Sequence, residues 1–125
     1  MIIQVVAGLI RDTDGRLLTV RKAGTGAYML PGGKREAGED DLAALARELF
    51  EELGVRLVSA EKFGQFEAPA VNEPGARVRS DVYSVTVDGV LKPGAEIADL
   101  MWIDPDAPGE PPLAHLLRDE VLPRL

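Results

Sequence analysis

Residues 33–55 read GKREAGEDDLAALARELFEELGV, and this stretch decides the fold. It follows a Pro31-Gly32-Gly33 turn, crosses a polar loop, and enters a segment whose apolar residues recur at helical spacing. A helix of roughly three turns is expected, with Asp40 or Asp41 capping its start. Gly54 should stop it, as a glycine just past a helix end commonly does.

The two faces of that helix make different demands. Leu42, Leu45, Ala46, Leu49 and Leu53 fall on one arc and should face a core. Glu48, Glu51 and Glu52 lie at i, i+3 and i+4, so they share an adjoining arc. Each like-charge pair costs an isolated helix a few tenths of a kcal/mol. Carboxylates near a helix C-terminus also oppose the macrodipole. Folding does not call for this arrangement. A hard divalent cation does, because Mg²⁺ takes oxygen ligands and offsets their repulsion. On the charges alone, a solvated acidic face is the competing reading.

The spacing of the whole stretch resembles the signature of the Nudix hydrolases, G-x5-E-x7-R-E-U-x-E-E-x-G-U, where U is a bulky aliphatic. Gly33, Glu39, Arg47, Glu48, Leu49, Glu51, Glu52, Gly54 and Val55 fill every specified position, and the motif covers about a fifth of the chain. The resemblance implies an α/β fold, a Nudix-type α/β/α sandwich with a mixed β-sheet. It implies metal ligation by Glu48, Glu51 and Glu52, with the backbone carbonyl of Gly33 joining them. It also implies a structural pairing of Glu39 with Arg47, which holds the loop against the helix. The catalytic base varies among members of the family. Glu48 and Glu52 come first here, with Glu51 in the same catalytic set and Glu96 as an auxiliary ligand or base. A solvated glutamate at a strand start is the competing reading for Glu96.

The rest of the chain fits one domain, residues 1–125, at a length sufficient for a core. A hydrophobic fraction of 46% with mixed charges reads as soluble and globular. A net charge of −7 argues against a general nucleic-acid binder, which would present a basic face. It leaves open a nucleotide substrate whose charge is met by metal ions. The absence of cysteine excludes disulfides, thiolate metal sites and a cysteine nucleophile. No apolar run approaches a membrane span, and no secretion signal is seen, so a cytoplasmic location is the default.

In chain order, Ile2 to Ile10 reads as a buried strand, and Asp14-Gly15 signals a hairpin into a second strand, Leu17 to Lys22. Ala27 to Leu30 is a short extended piece. Val55 to Phe66 reads as a strand broken by Gly64, and Glu67 to Gly75 as a loop. Ala76 to Val87 is a long strand and Glu96 to Ile103 another. Asp104 to Pro112, with four prolines, is irregular. Leu113 to Leu122 closes the chain as a helix. Strands around one central helix, with a second helix at the end, suggest a mixed sheet with helices on its faces.

The chemistry that the resemblance implies is Mg²⁺-dependent hydrolysis of a diphosphate linkage, with Mn²⁺ able to substitute. The substrate would be a small nucleotide: a nucleoside triphosphate, oxidised or not, or a nucleotide sugar such as ADP-ribose. Two other classes compete. One is a diphosphate isomerase on the same fold, which the lack of cysteine disfavours. The other is a non-catalytic nucleotide sensor, which the complete set of box carboxylates disfavours. Arg21 or Lys22 could reach a phosphate, but alternation along a strand allows only one of them. Tyr28, Phe63, Phe66 and Tyr83 could stack on a base, although most aromatics are core. Arg77 and Arg79 could contact substrate from one strand face, where solvation is the simpler reading. His115 reads as structural or surface and Trp102 as core. A homodimer is consistent with the resemblance. Substrate identity rests on the loops Glu67 to Gly75 and Asp104 to Pro112, whose shape composition does not give.

Overall fold

The structure is a computed structural model that describes residues 1–71, 73–94, 96–109 and 111–125. Seven elements organise it: β1 (Ile2–Leu9), β2 (Leu17–Lys22), β3 (Gly32–Gly33), α1 (Asp41–Leu53), β4 (Arg56–Pro69), β5 (Arg77–Asp88) and β6 (Ile97–Ile103). A π-helical turn, Leu116–Val121, and a short 3-10 turn, Leu122–Arg124, end the chain. Four strands form a mixed sheet in the order β3-β1-β5-β4, and β2 and β6 form a separate antiparallel pair. Within the larger sheet β1 runs parallel to β5 and antiparallel to β3, while β4 and β5 are antiparallel.

Side-chain alternation along β1 divides the interior into two layers. Val6 packs with Leu45, Leu49 and Leu53 of α1, whereas Ala7 and Leu9 pack with Leu116, Leu117 and Val121 on the opposite face. The sheet is therefore covered on both sides, the α/β/α arrangement expected. Burying each α1 leucine stabilises the fold by roughly 1.5–3 kcal/mol relative to exposure. Asp40 is the cap: its side chain accepts from the Ala43 N–H at 2.8 Å. Gly54 ends the helix with φ +70°, a left-handed conformation that glycine adopts without a Cβ penalty. The inward face is set slightly round from expectation. Ala44 is buried, while Leu42 is 43% exposed, because the arc centred on Leu45 and Leu49 takes in Ala44 and Glu52 instead.

Four other expectations change. The turn at Asp14-Gly15 forms, with Asp12 N–H bonded to the Arg16 carbonyl, but β1 and β2 are not a hairpin. Both edges of β1 are already taken by β3 and β5, so β2 pairs with β6 and meets the end of β1 only at the Arg11–Leu17 bridge. Gly64 does not break β4; the register shifts there and the strand continues. Glu67, Ala68 and Pro69 are strand rather than loop, because Phe66 and Ala68 continue the buried alternation. Pro69 takes the last position, where its missing N–H matters least. The terminal helical turns begin later than Leu113. Pro112 and Ala114 are hydrogen-bonded to the backbone of Tyr28, which holds this segment extended. Trp102 is partly buried against the α1-side core.

Candidate active site

The site grows from the C-terminal half of α1 and the glycine turn facing it. Glu52 lies on the inner edge of the helix and is only 5% exposed. Its Oε1 accepts the backbone N–H of Gly32 at 3.0 Å, and its Oε2 lies 3.9 Å from Lys22 Nζ. Burial pushes its pKa up from 4.5 to about 7; the Gly32 N–H and Lys22 oppose that rise, and the charges of Glu48 and Glu96 add to it. A buried carboxylate with one N–H and one distant ammonium is an unfinished arrangement that a cation would complete.

This has a measurable consequence in chelator-treated protein. The folded state holds the Glu52 proton more tightly than the unfolded chain, so the contribution is present below pH 4.5 and lost as pH rises through about 7. On the order of 3 kcal/mol is at stake, at about 1.36 kcal/mol per pKa unit. Denaturant titrations from pH 5 to 8 should show this decline in the wild type and lose it in Glu52→Gln. A pH-independent difference between the two proteins would contradict the burial of the charge.

Glu48 lies one turn earlier, and its carboxyl group rests directly over Gly33. A Cβ on Gly33 would stand 2.5 Å from the Glu48 carboxyl carbon, so only glycine leaves room for the side chain in this position. Arg47 Nη1 donates to Glu48 Oε1 at 2.9 Å and lies 3.4 Å from Glu51 Oε1. Its Nε and Nη2 reach the two oxygens of Glu39 at 2.8 and 2.9 Å, and Nη2 also donates to the Lys34 carbonyl at 2.9 Å. One guanidinium thus ties the loop after Gly33 to the helix by a bidentate fork. Arg47, helped by the Glu36 N–H, holds the Glu39 pKa down at about 2. The Arg47 pKa is raised in turn, chiefly by Glu39.

Glu96 arrives from the other side. Lys92 and Gly94 donate their N–H groups to the Leu53 and Glu52 carbonyls at 2.9 and 2.7 Å, closing over the exposed end of α1. Glu96 follows two residues later, just ahead of β6. Glu48, Glu51, Glu52 and Glu96 together line a cleft of about 280 Å³. Among the described residues no three His, Cys, Asp or Glu side chains are oriented to hold a metal ion together. Glu48 is turned toward Arg47 and Glu52 toward Gly32, so the cleft is a set of donors around an open space. Its donors are all carboxylates, which suits a hard divalent cation.

Of the remaining candidates, Lys22 approaches this cleft through Glu52, at 3.9 Å, and Arg21 turns elsewhere. Arg21 donates to the Thr25 carbonyl and lies over the Tyr28 ring, while the Tyr28 hydroxyl donates to Asp99. Arg21 and Tyr28 therefore stand away from the carboxylates. Tyr83 donates to Asp41, Phe63 stacks on Phe66, and Arg77 and Arg79 both pair with Glu67. His115 lies beside Arg118 on the terminal turn.

Sequence reasoning missed a second feature. An apolar cavity of about 190 Å³ lies on the face of the sheet opposite α1, between β1, β5 and the terminal turn. Val5, Ala7, Leu30, Val78, Ser80 and Leu117 are among the residues lining it. Alternate apolar residues at the start of β1 were its only trace in the sequence. The cavity adjoins the carboxylate site through the backbone, because Ala7 pairs with Gly32, whose N–H holds Glu52.

Comparison with known proteins places the chain in a family. A family model described as the NUDIX domain matches residues 1–125. The chain belongs to the Nudix hydrolase family. A MutT-like protein of Streptomyces ambofaciens is 33% identical over 105 residues, 84% of this chain and 66% of that protein. An 8-oxo-dGTP diphosphatase of Haemophilus influenzae is 33% identical over 95% of this chain and 93% of its own length. Among solved structures, a MutT protein from Methanosarcina mazei superposes with a TM-score of 0.82 at 27% identity, over 98% of this chain and 94% of that one. A MutT Nudix hydrolase from Burkholderia pseudomallei gives 0.84 over 100% and 98%; at 24% identity it speaks for the fold alone. The Nudix hydrolases are pyrophosphohydrolases acting on small nucleotides and generally need a divalent metal. In this Nudix chain no helix among the described residues is long and apolar enough to cross a membrane.

Proposed function

We propose that residues 1–125 act as a single domain that hydrolyses the diphosphate linkage of a nucleoside triphosphate, oxidised purine forms included, with Mg²⁺ as cofactor. The observation that supports this most is the cleft lined by Glu48, Glu51, Glu52 and Glu96. These carboxylates, with the Gly33 carbonyl, are the groups that would hold the cation. When bound, it offsets phosphate charge and makes water more acidic.

The chain's own residues do the remainder. Arg47 and Glu39 fix the loop, so that Gly33 and Glu48 keep their relative position. Lys22 sits beside the cleft with an ammonium that can meet a phosphate oxygen. Glu48 or Glu52 takes the proton from water as oxygen attacks phosphorus and the phosphorus–oxygen bond to the leaving group breaks. The apolar cavity beyond β3 would take the base. At about 190 Å³ it is smaller than the ~300 Å³ or more usual for a whole ligand, which suits one ring system of a larger molecule.

The length match to the Haemophilus diphosphatase favours a nucleoside triphosphate over a nucleotide sugar. An RNA pyrophosphohydrolase of Halorhodospira halophila is 47% identical, but over only 38% of this chain, and the net charge of −7 disfavours long RNA. A panel of nucleoside triphosphates, 8-oxo-dGTP among them, and ADP-ribose should yield product with Mg²⁺ and none with chelator. Tight nucleotide binding with no product under any metal would mean a sensor and refute the hydrolase reading.

A further inference from the structure

Ser80 is out of place by the standards of its surroundings. It sits on β5 opposite Val5 of β1, between Val78 and Val82 on the same face of the strand. It is 2% exposed, and its Oγ has no hydrogen-bond partner among the described residues. A buried hydroxyl left unpaired costs about 1–3 kcal/mol. Thr19, another enclosed hydroxyl, does not bear this cost: its Oγ1 donates to the Met101 carbonyl at 2.7 Å.

The position of Ser80 suggests what satisfies it. It lines the apolar cavity, where the other lining residues are apolar apart from Glu73, which lies on the exposed segment after β4. Among the described residues Ser80 is therefore the one buried polar side chain in the lining, its Oγ lying just beneath the hydrocarbon surface of the cavity. A hydroxyl both donates and accepts, so it can pair with either a carbonyl or a ring nitrogen. A ring that presents such a group gains a hydrogen bond in apolar surroundings, and a ring that presents carbon leaves Ser80 unpaired. Sites of this type discriminate strongly, because the wrong ligand strands a buried polar group.

We infer that Ser80 is a specificity-determining residue, whose hydroxyl hydrogen-bonds a heteroatom on the edge of a planar heterocycle held in the apolar cavity. The inference rests on the proposal that the cavity receives the base of a nucleotide. Ser80 acts on recognition and does not touch the reacting phosphorus, and the carboxylate cleft lies on the other side of the sheet.

The test compares wild type with Ser80→Ala and Ser80→Thr, the second retaining the hydroxyl. Two readouts are needed: kcat and KM across triphosphates whose bases differ in their hydrogen-bonding edge, and calorimetric binding of the matching nucleosides to metal-free protein. In Ser80→Ala the KM of the preferred substrate should rise about tenfold or more while its kcat stays within about threefold, flattening the ranking of bases. Ser80→Thr should restore much of the ranking. Calorimetry with Mn²⁺ alone should be unchanged, and Ser80→Ala should melt no lower than wild type. An unchanged ranking in Ser80→Ala overturns the inference, as does a wild type that hydrolyses all bases equally; in both cases Mg²⁺-dependent turnover leaves the hydrolase reading intact. If no nucleotide is hydrolysed yet nucleosides bind wild type better than Ser80→Ala, the hydrolase reading falls and the role of Ser80 stands. Should turnover be absent and nucleosides bind both proteins equally, or neither, both fall.

Discussion

Glu52→Gln should lower turnover by about 10²–10⁴-fold, the range expected when a positioned acid–base group is lost, without lowering the melting temperature of metal-free protein. The two halves of this expectation have one cause. Glutamine keeps an oxygen where Glu52 Oε1 accepts the Gly32 N–H, so the contact that shapes the turn survives. What disappears is a charge buried to 5% exposure beside Glu48 and Glu96. Metal-free folding at pH 8 has no use for that charge, and removing it should raise the melting temperature by several degrees. Catalysis needs it both to hold a cation and to take a proton. The decisive measurement pairs steady-state kinetics in Mg²⁺ with calorimetric melting in chelator. A melting temperature many degrees lower, with specific activity retained, would make Glu52 a structural residue and remove the basis for the cleft.

The second large effect separates two adjacent glycines. A Cβ on Gly32 would lie 2.0 Å from the Val6 carbonyl oxygen and 2.7 Å from the Ala7 Cα, and its φ is +152°. Those atoms belong to the central strand of the sheet and have nowhere to move. Gly32→Ala should therefore cost more than about 4 kcal/mol, in the range reserved for backbone strain and overpacking, and give protein that is unfolded or melts far lower. The Cβ of Gly33→Ala meets only the end of the Glu48 side chain, which can rotate away. This variant should fold and melt close to wild type, yet bind Mn²⁺ about 10- to 100-fold more weakly, the usual effect of disturbing how a ligand is oriented. Thermal melts and Mn²⁺ titration by electron paramagnetic resonance distinguish the two. Equal tolerance of both substitutions would show that β3 is not pressed against β1.

Both predictions draw on residues that were visible in the sequence, and the limits of that visibility have physical causes. The cap at Asp40, the stop at Gly54 and the shared arc of Glu48, Glu51 and Glu52 follow from local helix geometry, which depends on residues three or four apart. The bidentate Glu39–Arg47 contact spans eight residues and was suggested only by family resemblance. Strand partners were harder. The Asp14-Gly15 turn is correctly placed, yet β1 and β2 part, because the competition of β3 and β5 for the edges of β1 involves residues up to 84. The extension of β4 through Pro69 was hidden by the turn-like composition of EAPAVNEPG, although its pairing with β5 outweighs that preference.

The sequence by itself determined that three glutamates lie along one side of a helix behind a glycine turn, since a helical repeat leaves no other option. Only the tertiary structure decided that Glu52 is enclosed and Glu51 exposed, that Glu96 and Lys22 join them, and that Ser80 lies at an apolar cavity with no hydrogen-bond partner among the described residues. These facts depend on which surfaces meet when the layers pack. Burial, proton affinity and enclosed volume are properties of atoms brought together from distant parts of the chain, and no local pattern encodes them.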